Sequence, residues 1–117
     1  MSSLDKAADT CVRTCVGVKK NEKVLVVTDK DKIEIAEAIL RKSSEYGSSA
    51  DPIEIPIGKV NGEEPSSSVS SMMLEYDVLF FVTSKSLSHT KARINASAKG
   101  IRVASMPSIT REVMERS

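Results

Sequence analysis

Tryptophan is absent from the chain, and its only other aromatic residues are two tyrosines and two phenylalanines. So few rings leave little for nucleic-acid bases to stack on, which argues against a nucleic-acid partner. Histidine occurs once and cysteine twice, too few for a closed zinc site of about four such ligands. Cys11 and Cys15 stand one helical turn apart, on a stripe shared with Leu4, Ala8 and Val18. They read as reduced thiols serving as small apolar side chains on an opening helix that stops near Gly17. The lack of further cysteine fits a reducing compartment, and the location is read as cytoplasmic. Neither glycine-rich phosphate cradle, GxxxxGKS/T or GxGxxG, occurs, and neither does the GxSxG elbow of a serine hydrolase. Nothing approaches the roughly 18 apolar residues of a membrane span. The opening MSSLDKAADT is polar and contains acids, unlike a secretory or transit leader.

What is present is a single-domain length of 117 residues, 40% hydrophobic and 28% charged, the balance of a soluble globular protein. A net charge of +1 gives no reason to expect a nucleic-acid or membrane partner. It conceals an asymmetry, however. Residues 1–82 hold 10 Lys and Arg against 14 Asp and Glu, while residues 83–117 hold 7 against 2. Such a local excess is either a solvated basic face or an attraction for an anion or acidic surface.

Apolar periodicity then alternates between strand and helix. KVLVVT (23–28) predicts a first strand, and DKDKIEIAEAILRKSSEYG an amphipathic helix with Asp29 or Asp31 as its cap. That helix turns Ile35, Ala36, Ile39 and Leu40 inward and ends at Gly47. ADPIEIPI (50–57) predicts a second strand, and its two prolines place it at or near a sheet edge. After the loop GKVNGEEPSSS, a helix over about 66–75 turns Val69, Met72 and Met73 inward. DVLFFVT (77–83), apolar on both faces, predicts a central strand of a parallel sheet. A helix over 89–99 packs through Ala92, Ala96 and Ala98 and ends at Gly100, IRVASMP gives a fourth strand, and Thr110–Arg116 begins a last helix. The alternation implies right-handed crossovers and a three-layer α/β sandwich, flavodoxin- or Rossmann-like, with strand order 2-1-3-4. Four strands are few for such a sheet, and the closing helix is short. The chain therefore reads as one part of something longer, or as a subunit completed by association.

In this fold ligands gather at the carboxyl ends of the strands, where strand order reverses. There the sequence places SKSLSHTKAR (84–93), following the central strand's Thr83. Thr83, Ser84, Lys85, Ser86, Ser88, His89, Thr90 and Arg93 are the candidate ligand- or partner-binding residues, with Thr28–Asp31 opposite. Two readings stand. The loop and the helix start hold an anion or a carboxylate, or the hydroxyls satisfy backbone groups and cap the helix. No catalytic residue is assigned. Ser84 and His89 are not spaced as a nucleophile and its base, and the central strand ends in Thr83 where a phosphoacceptor domain needs aspartate.

CVGVKKNEKVLVVTD, IAEAILRKSSEYG, IEIPIGKVNGEEP and above all TSKSLSHTKARINASAKGIRVASMPSIT together resemble the N-terminal region of the thermophilic metalloaminopeptidases, the aminopeptidase T or leucyl aminopeptidase-like family. The resemblance spans nearly the whole chain, with departures at Lys20-Asn21 and Ser108, where Pro-Gly and glycine are common. It implies an N-terminal scaffold domain of a dimeric exopeptidase, inactive alone. The divalent metals, of zinc or cobalt type, and the catalysis are then supplied by a C-terminal domain that is the partner of this one. No residue here matches that metal-binding set, so no metal site or cofactor is assigned to this chain.

Overall fold

The computed structural model describes residues 6, 8–9, 12, 19–56, 64–83 and 90–105. Within them the order is β1 (Lys23–Thr28), α1 (Ile33–Glu45), β2 (Ser49–Glu54), α2 (Ser67–Met73), β3 (Val78–Val82), α3 (Lys91–Ala98) and β4 (Arg102–Ser105). The sheet is parallel throughout and its order is β2-β1-β3-β4. The α/β fold and the strand order are those read from the sequence. The cysteine pair, Gly17 and the helix over 110–116 lie outside the described residues.

Handedness distributes the helices. The step from β1 to β2 runs one way along the sheet, and the steps to β3 and β4 run the other. Right-handed crossovers therefore put α1 on one face and α2 and α3 on the opposite one. The period-2 alternation of β1 and β3 serves both faces. Val24, Val26, Val78, Phe80 and Val82 pack with Ile35, Ala36, Ala38 and Ile39 of α1 and with Ala8 and Val12 near the N-terminus. Leu25, Val27, Leu79 and Phe81 pack with Val69 and Met73 of α2 and with Ala92, Ala96 and Ile101. From Val24 to the end of β1, and along all of β3, every side chain is buried.

Local details depart from expectation in three places. Neither Asp29 nor Asp31 caps α1, whose N-cap residue is Lys32, without a side-chain bond. Asp29 instead accepts the Asp31 amide at 3.1 Å, a turn that precedes the helix. Ala98 is exposed, because α3 is only two turns long and Ala92 and Ala96 already fill its inner face. β2 ends at Glu54, so Pro56 lies beyond it. Pro52, within β2, carries the edge argument. The amides of Ser49 and Ile55 donate to Glu22 and Thr28 beside β1, so alternate residues starting at Ala50 face outward. Pro52 is one of these, and its missing N–H costs the sheet nothing. Asn21, in place of glycine before β1, adopts φ 70°, a left-handed conformation that asparagine tolerates better than most residues.

The amino ends of the strands are tied by polar bonds. The Lys23 amide donates to Asp77 at 2.9 Å, the Tyr76 hydroxyl to Asp51 at 2.9 Å, and Lys99 to the Leu74 carbonyl at 2.7 Å. Arg102 pairs with Glu22. Burial first, and then the hydrogen bond to Asp51, raise the Tyr76 phenol above the usual tyrosine range. The fold thus favours the protonated phenol. Its contribution to stability is complete below the unfolded pKa and is lost as pH rises through the folded one. Tyr76→Phe is expected to remove that alkaline loss, as read from denaturant midpoints across alkaline pH. On α1, Ser43 is fully buried and its hydroxyl has no hydrogen-bond partner among the described residues. Ser43→Ala removes an unsatisfied polar group and is expected to raise unfolding free energy by about 1 kcal/mol, measured by urea denaturation.

Candidate functional site

Register brings the carboxyl ends of β1 and β3 together. Thr28 lies beside Val82, so the chain leaves both strands side by side at Asp29 and Thr83. Four polar residues there are nearly inaccessible to solvent: Thr28, Asp29 (1% exposed), Thr83 and Thr90 (0%). The Thr28 hydroxyl donates to the Asp29 carbonyl at 3.3 Å, and that carbonyl also accepts the Lys32 amide at 3.0 Å. Asp29, Thr83 and Thr90 are all engaged in polar interactions.

α3 begins at this same edge, and its first turn presents amides that no helical carbonyl can reach. Thr90 is the N-cap, and its hydroxyl accepts the Arg93 amide at 3.2 Å. The amides of Lys91 and Ala92 go to a carboxylate. Glu64 accepts them through its two oxygens, at 2.6 and 3.3 Å. A negative charge at a helix amino end gains both the hydrogen bonds and the helix dipole. The anion that the helix start attracts is therefore supplied from within the chain. Arg93 contributes its amide to the cap, while its Nε is buried without a hydrogen-bond partner among the described residues.

Of the candidate residues, Thr83, Thr90 and Arg93 are brought to this edge, with Asp29 beside them. Ser84, Lys85, Ser86, Ser88 and His89 lie outside the described residues. Sequence reasoning missed Glu64, because 27 positions separate it from Lys91 and no local pattern links a loop glutamate to a distant helix. The only hint was its place in a polar loop at the same end of the sheet. Among the described residues, no three histidines, cysteines, aspartates or glutamates stand together as a metal site. Nor is any helix there long and apolar enough to cross a membrane.

No family model matches this chain, and no curated protein does. Among solved structures, 2,5-dihydroxypyridine dioxygenase from Pseudomonas putida KT2440 superposes on 96% of this chain with a TM-score of 0.75 and 11% sequence identity. The chain spans 36% of that enzyme's length. At such identity the likeness shows the fold alone. The resemblance to the metalloaminopeptidases is overturned by these findings: no family model supports it, and the structural likeness at a TM-score of 0.75 is to a dioxygenase. The segments that carried it are β-branched runs, an amphipathic helix and glycine-terminated turns. Any parallel α/β domain demands these of its sequence.

Glu64→Ala and Thr90→Ala each strip the first turn of α3 of acceptors. Each is expected to lower unfolding free energy by about 1 kcal/mol. Urea denaturation of both single variants and the double variant should show the two losses to be non-additive, because they act on one helix end.

Proposed function

We propose that this chain is a scaffold domain, an α/β body that braces a larger catalytic or binding unit and shapes the approach to it. The observation that carries this reading is the occupation of the α3 amino end by Glu64 and Thr90. The place where such a fold offers donors to a free anion is spent on the chain's own side chains. Two further features support it. Asp29 is turned into local backbone bonds, and the dioxygenase of similar fold is a chain nearly three times as long.

The partner on this reading is a protein surface rather than a nucleic acid or a membrane, given four aromatic residues and a net charge of +1. A cytoplasmic location and self-association as a homodimer belong to the same proposal. The competing reading, a small-anion or nucleotide-binding module, rests on the basic last third of the chain and on the buried Arg93 Nε.

Titration with inorganic phosphate separates the two. The expected outcome is no change in wild-type melting temperature or in the His89 ring resonances at tens of millimolar phosphate. In Glu64→Ala, where the donors are released, phosphate is expected to restore part of the lost stability. Saturable stabilisation of the wild-type chain would reverse the reading in favour of the anion-binding module.

A further inference from the structure

The two borders of the sheet are unlike. On β2 the outward-facing residues are Ala50, Pro52 and Glu54, so the middle amide that a further strand would need is missing. On β4 the Arg102 amide donates to the Asp77 carbonyl, which turns Arg102 and Ala104 toward β3 and the backbone groups of Val103 and Ser105 outward. Both outward residues keep their amides. Among the described residues, no strand pairs with this border.

We propose that the outer edge of β4 pairs with β4 of a second copy, antiparallel about a two-fold axis at Ala104. The geometry is self-complementary. Val103 and Ser105 are equidistant from Ala104, so Val103 faces the partner's Ser105 and Ser105 faces the partner's Val103. Each facing pair exchanges two N–H to O=C bonds, four in all, as in a regular antiparallel ladder. The two Ala104 residues then form the close, non-hydrogen-bonded pair on the axis, and a methyl group is small enough to permit it. Val103 and Ala104 are already partly covered by the helical layers on opposite faces. Pairing therefore continues all three layers into an eight-stranded sheet with a blocked β2 border at each end. A closed dimer results instead of a growing fibre. A four-residue edge is a short interface, so association is concentration-dependent. This inference rests on the self-association part of the proposed function and names its surface; the phosphate titration does not bear on it.

Sedimentation velocity over a concentration series, with far-ultraviolet circular dichroism and melting temperature as folding controls, tests the pairing. Wild type is expected to show a monomer–dimer equilibrium, and Ser105→Pro, which removes one outward donor and no bond to β3, to lose the dimer while remaining folded. In a background lacking Cys11 and Cys15, Ala104→Cys is expected to oxidise to a disulfide-linked dimer. The close antiparallel pair holds its Cα atoms about 4.5 Å apart, within disulfide reach. A wild type that stays monomeric at the highest attainable concentration overturns the proposal. So does a folded Ser105→Pro that dimerises as tightly as wild type, or an Ala104→Cys chain that forms no cross-link.

Discussion

The backbone pairing of β1 with β3 is the constraint on which the structure depends. From Val24 to Thr28 and from Val78 to Val82 no side chain is exposed, so water reaches neither face of these strands. Their peptide groups must be satisfied within the sheet, because an unpaired buried amide costs as much as a lost hydrogen bond. Each strand therefore needs a neighbour on its other side, and β2 and β4 are those neighbours. Apolar side chains on both faces likewise require helices on both. The three layers follow from two short stretches of sequence.

The ends of the same strands are treated differently. At the amino ends, carboxylates bind elements to one another: Asp77 accepts the Lys23 amide, Asp51 accepts the Tyr76 hydroxyl, and Glu22 pairs with Arg102. These bonds hold the strand starts in register across the sheet. At the carboxyl ends, the polar groups close a helix start and a turn. Glu64 crosses from its loop to α3, and Asp29 folds back on its own backbone. This region is where open α/β sheets place their ligands, and here the amides of the first turn of α3 are taken by Glu64 and Thr90. On the proposed reading, that arrangement is what separates a brace from a binding pocket on the same architecture.

Structural likeness without sequence likeness has a physical basis in this chain. A parallel strand needs a β-branched run, a covering helix needs a three-to-four spacing, and a helix end favours glycine in a left-handed turn, as at Gly47 and Gly100. These demands recur wherever the fold recurs, and they say nothing about chemistry. They account for a close superposition on a dioxygenase at 11% identity, and equally for a family resemblance that did not hold.

Among the described residues, strand and helix identities, the central place of β3 and the marginal place of β2 were legible in the sequence. All of them rest on local periodicity or on a single residue's missing amide, as at Pro52. Of the site, a hydroxyl cap on α3 was legible too, with Ser88 and Thr90 both eligible, since such a residue before a helix acts on amides within its own turn; the structure selects Thr90. The reach of Glu64 to Lys91, the burial of Asp29 and the exposure of Ala98 were not. Each depends on where the crossovers bring distant segments, which only the assembled tertiary structure decides. A side chain's neighbours along the chain determine its conformation, whereas its role follows from neighbours in space.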